Sequence, residues 1–186
     1  YLMSLIENLD NKIKKFWPKD GPPVNEVEKY IKKYSKEKIV IKCGGRVLLD
    51  PELFEHFIND VSILKKLGLT PIVVHGGGPR IKKKLNELNI ETKFIMGLRV
   101  TDEHVIKVVE KVMIEFNNEI VNALIKKECK TKSITVKENN SIYVAQKNKE
   151  LGFVGFPKHI DVKLINNFIK ENYIPVVSPM GLDEKK

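Results

Sequence analysis

The spacing of apolar residues changes period along the chain, and each change marks an element. Leu5, Ile6, Leu9, Ile13, Phe16 and Trp17 recur at helical spacing and stop at Pro18. After the break at Gly21-Pro22-Pro23, a second helical stripe carries Val24, Val27, Tyr30, Ile31 and Tyr34. Both stretches precede the first strand-like run, so residues 1–36 read as a helical arm whose apolar faces dock on the domain or on a partner chain. From Lys38 onward the period alternates between strand and helix in the βαβ manner. The pattern predicts an α/β domain over residues 37–186, with a largely parallel sheet sandwiched by helices.

Local signals place the elements within that domain. Asp50-Pro51 opens a helix whose Leu53, Phe54, Phe57, Ile58, Val61, Leu64 and Leu67 face inward until Gly68 stops it. Thr70 to Val74 is a strand, and Pro79 opens a helix carrying Ile81, Leu85 and Leu88. Thr101-Asp102-Glu103 caps a long helix with Val105, Val108, Val109, Val112, Phe116, Ile120 and Leu124 on its inner stripe. Ser133 to Val136 and Ser141 to Ala145 flank the polar Glu138-Asn139-Asn140 and predict an antiparallel β-hairpin. Glycines 152 and 155 mark a turn, Asp161 caps a further helix, and Tyr173 to Val177 reads as a buried strand.

Composition narrows the function classes. A chain of 186 residues fits one domain with a core and an appendage. Hydrophobic residues make up 42%, and no apolar run approaches the roughly 20 residues that span a bilayer, so a soluble protein without a membrane partner is expected. The charged residues mixed through Leu2 to Trp17 do not form a secretory signal, and Cys43 and Cys129 alone fit a reducing, cytoplasmic compartment. The formal charge of +9 raises the question of nucleic acid. Only Arg46, Arg80 and Arg99 are arginines, and lysine runs such as Lys82-Lys83-Lys84 lack interleaved aromatics. The lysines therefore read as a solvated face whose field favours small anions, with no nucleic-acid partner. Tyr1 in place of Met, and an end at Asp183-Glu184-Lys185-Lys186 just after a strand, lead to the expectation of a fragment.

The candidate chemistry lies in two glycine turns, each fed by an apolar strand. They are Ile39-Val40-Ile41-Lys42-Cys43-Gly44-Gly45 and Pro71-Ile72-Val73-Val74-His75-Gly76-Gly77-Gly78-Pro79. Glycine lets backbone approach a ligand closely, and a helix beginning after the turn aims N–H groups at it. Two such turns predict a site for two anions near the carboxyl ends of the strands. Neither has the spacing of a P-loop or of the dinucleotide fingerprint. Lys42 closes the first strand, where a cation can meet charge that develops during a reaction.

Taken with Gly97-Leu98-Arg99-Val100-Thr101-Asp102, Gly152-Phe153-Val154-Gly155 and Tyr173-Ile174-Pro175-Val176-Val177, these turns resemble the amino-acid kinase family. Within it they are similar to the acetylglutamate kinase branch, in consistent order from about Ile39 to about Leu182. The resemblance implies transfer of the γ-phosphoryl group of ATP, with Mg2+ carried by the nucleotide, to the side-chain carboxylate of N-acetyl-L-glutamate in arginine biosynthesis. It implies that Lys42 stabilises the transition state and that Gly44 and Gly45 bring amides near the nucleotide phosphates. Gly77 and Gly78 would line the acetylglutamate pocket, and Arg99 would hold a substrate carboxylate. It further implies a homo-oligomer, a dimer or a hexamer interlaced through the N-terminal arm, with L-arginine as feedback inhibitor. The family's nucleotide-binding lobe, with its Asn-x-Asn-Ala-Asp stretch, is expected just after Leu182. None of it lies within these residues, so the segment is expected to supply mainly the substrate site and not to turn over alone.

The remaining candidates read as structural. A carboxylate substrate is already ionised at neutral pH, so His75 orients its loop and does not serve as a general base. His56, His104 and His159 lack ligand spacing, which predicts no metal site, and Cys43 reads as packing. Three rival readings stay open. They are a regulatory arginine-binding domain of an acetylglutamate synthase, which typically lacks the strand-end lysine; a kinase of acetylaminoadipate; and a basic non-catalytic binding module.

Overall fold

The structure, a computed structural model, describes Gly21 and residues 23–183. The amphipathic stretch from Leu5 to Trp17 lies outside them. The first described helix, α1 (Val24–Tyr34), leads into β1 (Lys38–Cys43), a short 3-10 turn over Gly45–Leu48, α2 (Pro51–Lys66), β2 (Thr70–His75) and α3 (Gly78–Glu87). A two-stranded hairpin of β3 (Phe94–Ile95) and β4 (Leu98–Arg99) precedes the long α4 (Glu103–Lys126). Then come β5 (Thr131–Ile134), β6 (Ile142–Gln146), β7 (Gly155–Ile160), α5 (Val162–Lys170), β8 (Ile174–Val177) and β9 (Leu182–Asp183).

Aspartates set three of the helix starts. Asp50 accepts hydrogen bonds from the N–H groups of Glu52 (2.9 Å) and Leu53 (3.2 Å), Asp102 from Val105 (2.9 Å), and Asp161 from Leu164 (3.0 Å). Each satisfies N–H groups that the helix itself leaves open. Gly68 takes a φ of +83° and ends α2 where the sequence predicted.

The central sheet is parallel, in the order β1-β2-β8-β5. Its inner strands β2 and β8 are apolar runs because both of their faces are covered. On one face Ile58 and Val61 of α2 and Phe116, Ile120 and Leu124 of α4 pack against Val73, Ile174 and Val176. On the other, Phe168 of α5 packs against Ile72, Ile134 and Val177. That second cover stops short of the edge strand β1, whose Val40 is 64% exposed. Ile31 of α1 packs with Ile39, Leu67 and Leu69 beneath the same edge.

Three expectations are corrected. Ser133 to Val136 does not pair with Ser141 to Ala145; β5 pairs in parallel with β8, while β6 pairs antiparallel with β7 and parallel with β9. The polar turn between them leads the chain out of the main sheet, with the Thr135 N–H donating to the Glu138 carbonyl (2.8 Å) and Asn139 Nδ2 donating to the Ser133 carbonyl (2.9 Å). Second, the first glycine turn runs into the 3-10 turn, and α2 begins only at Pro51 with its N–H groups taken by Asp50. Third, Leu53, expected to face inward, is exposed in the first turn of α2.

Candidate functional site

Parallel register brings the two glycine turns side by side. Lys42 lies opposite Val74 and Cys43 opposite His75, so both strands release their chains at the same carboxyl edge. The N–H of Gly76 donates to the carbonyl of Cys43 (2.7 Å), tying one turn to the other. Strand alternation sends Cys43 into the core and Lys42 outward, where it is exposed. Burial pushes the Cys43 thiol up to about 11, which suits packing and not nucleophilic chemistry. Gly45 has a φ of +57°, a conformation that favours glycine, and a Cβ on Gly77 would run into Met113 of α4. Gly77 caps α3 without a side-chain bond, leaving the first N–H groups of that helix without a side-chain cap.

Beneath the second turn lies a buried polar network that the sequence reading did not find. Asn117 of α4, wholly buried, donates from Nδ2 to the Val176 carbonyl (2.9 Å) and meets His75 Nε2 at 3.1 Å. Ser133 Oγ donates to Asn117 Oδ1 (2.8 Å), and His75 Nδ1 lies 3.1 Å from the Gly76 carbonyl. Burial holds the His75 pKa below its ordinary value; Arg80 lowers it further, against the raising effect of the Gly76 hydrogen bond. The signal was available, since an Asn on the inner stripe of an apolar helix needs partners.

Arg99 sits on the β3–β4 hairpin. It faces Phe94 across the hairpin, with its guanidinium 4.7 Å from the ring centroid, and Nη1 donates to Thr92 Oγ1 at 2.6 Å. Lys82, Asn86, Asn89, Thr92 and Phe94 surround it in a cavity of about 650 Å3, which the glycine turns do not line. The structure thus joins Lys42, Gly44, Gly45, Gly77 and Gly78 along one sheet edge and leaves Arg99 beside the far half of α3. Thr101, two residues on, lies opposite Gly152 in a parallel bridge. The Thr101 N–H donates to the Leu151 carbonyl (2.9 Å) and its own carbonyl accepts from Phe153 N–H (2.7 Å). Among the described residues no group of His, Cys, Asp and Glu is placed to hold a metal ion, and no helix is long and apolar enough to cross a membrane.

A parallel sheet flanked by helices, with adjoining glycine turns at its strand ends, defines an α/β fold. The chain belongs to the amino acid kinase family, whose model matches residues 37–186. It is 59% identical over 167 residues to the acetylglutamate kinase of Pelagibacter ubique (strain HTCC1062), covering 90% of this chain and 58% of that protein. It is 41% identical over 157 residues to the acetylglutamate kinase of Petrotoga mobilis (strain DSM 10674 / SJ95), covering 82% of this chain and 52% of that protein. The chain therefore spans little more than half the length of these relatives. Its fold matches the crystal structure of N-acetylglutamate synthase from Neisseria gonorrhoeae complexed with coenzyme A and N-acetyl-glutamate. That match has a TM-score of 0.74 at 18% identity, over 87% of this chain and 38% of the other.

Proposed function

We propose that this chain belongs to an enzyme that transfers the γ-phosphoryl group of ATP to the side-chain carboxylate of N-acetyl-L-glutamate, in arginine biosynthesis. The observation that carries the reading is the bond from Gly76 N–H to the Cys43 carbonyl, which places two glycine turns and Lys42 at one edge. The high identity to acetylglutamate kinases supports it. In the reaction a carboxylate oxygen attacks the γ-phosphorus, the new O–P bond forms as the bond to the β-phosphate oxygen breaks, and ADP leaves. No proton has to move and no protein nucleophile is required, so catalysis rests on positioning and fixed positive charge.

On this reading Gly44 and Gly45 present backbone amides to the nucleotide phosphates, with Mg2+ carried by ATP. Gly77 and Gly78 hold the acetylglutamate carboxylate at the open end of α3. Arg99 spends one donor on Thr92 and keeps the rest of its fork for a second carboxylate. The strand-end Lys42 favours a kinase over the regulatory arginine-binding domain of a synthase. A cytoplasmic location fits the two free, buried cysteines, and a homo-oligomer with L-arginine as feedback inhibitor completes the proposal.

The test is Lys42→Ala in the full-length protein. A fixed charge that acts on the transition state predicts a fall in kcat of about 10²-fold or more, with a smaller change in KM. Lys42→Arg should rescue poorly, because a planar fork does not replace a point charge. An unchanged kcat in Lys42→Ala would remove Lys42 from the chemistry.

A further inference from the structure

The peptide unit between Gly76 and Gly77 has glycine on both sides, so its own backbone hardly favours one orientation over the flipped one. A planar trans peptide points its C=O and N–H in opposite directions, so whatever holds the Gly76 carbonyl also aims the Gly77 N–H. The carbonyl is held from below by His75 Nδ1 at 3.1 Å, on a ring that is 1% exposed. The Gly77 N–H makes no hydrogen bond among the described residues.

A chain of forced choices fixes the proton that makes this contact possible. The Val176 carbonyl can only accept, so the Asn117 atom 2.9 Å from it is the amide nitrogen. The oxygen of Asn117 then faces Ser133 Oγ, and the second hydrogen on its nitrogen meets His75 Nε2. Nε2 must accept, so the ring proton resides on Nδ1 and donates to the Gly76 carbonyl. We infer that His75, locked in this tautomer by Asn117, is a positioning residue that aims the Gly77 N–H away from the buried network and at the substrate carboxylate. The inference rests on the reading of the second glycine turn as the acetylglutamate site.

Two substitutions at His75 separate positioning from packing, assayed in the full-length protein with N-acetyl-L-glutamate as the varied substrate. The amide nitrogen of Asn stands as many bonds from Cα as Nδ1, so His75→Asn can still donate to the Gly76 carbonyl. The amide of Gln reaches as far as Nε2, so His75→Gln addresses Asn117 and leaves that carbonyl unheld. Positioning predicts a KM rise of about tenfold or more in His75→Gln and a rise at least threefold smaller in His75→Asn, a gap of more than 0.6 kcal/mol by the usual conversion. Equal KM values, or the reverse order, would overturn the inference.

Nitrogen-15 spectra of the wild-type imidazole give a readout that depends on neither variant folding nor the substrate. A protonated Nδ1 with an unprotonated Nε2 supports the lock; a proton on Nε2 overturns it. Failure of the wild-type protein to phosphorylate acetylglutamate would instead refute the functional reading, and the ring spectrum would still decide the tautomer.

Discussion

Replacing Asn117 with Leu is the most direct test of the network beneath the glycine turn. The two side chains are similar in size, so the substitution removes hydrogen bonds while opening little cavity. It leaves His75 Nε2, the Val176 carbonyl contact and the Ser133 hydroxyl without their shared partner in a region closed to water. Each orphaned buried group costs about 1–3 kcal/mol, so the variant should lose roughly 3–6 kcal/mol, allowing for a Ser133 hydroxyl that can rotate. Against the roughly 5–15 kcal/mol of a folded domain this is a large share. Urea unfolding of both proteins measures it. Combining Asn117→Leu with His75→Phe and Ser133→Ala should recover much of the loss, because an apolar set of similar shape leaves fewer groups unpaired. A loss below about 1 kcal/mol in the single variant, the worth of one ordinary hydrogen bond, would refute the network.

Gly152→Ala forces a side chain into a φ of +68° and against the Thr101 carbonyl, so it should cost about 1–3 kcal/mol. At Gly44 a Cβ meets nothing within 4 Å, so Gly44→Ala should change stability by less than about 0.5 kcal/mol, and equal melting temperatures for the two variants would contradict the close approach at Gly152. His75 is held neutral by burial, whereas the unfolded chain takes up its proton near the ordinary value of 6.5. Its contribution is therefore fully present above pH 6.5 and is lost as pH falls toward its lower folded value, so the urea midpoint should drop across that interval and drop less in His75→Asn.

The helix starts at Asp50, Asp102 and Asp161, the stop at Gly68 and the two strand-to-glycine turns were legible in the chain, because capping and glycine conformation act over a few neighbouring residues. The parallel character of the sheet followed in the same way, from apolar runs too continuous to have a wet face. Strand partners were not legible. The polar–apolar pattern of Ser133 to Val136 and Ser141 to Ala145 marks strands without naming partners, and it is the same whether the neighbour is the next strand or β8, some 40 residues on. The site divides along the same line. Lys42 and both turns carry their chemistry in local spacing, and register between β1 and β2 then sets them side by side. The tie from Asn117 to His75, and the placing of Arg99 against Thr92 and the far half of α3, were decided by tertiary structure. Which distant side chain satisfies a buried polar group depends on how helices pack across the sheet, and no short-range pattern encodes that.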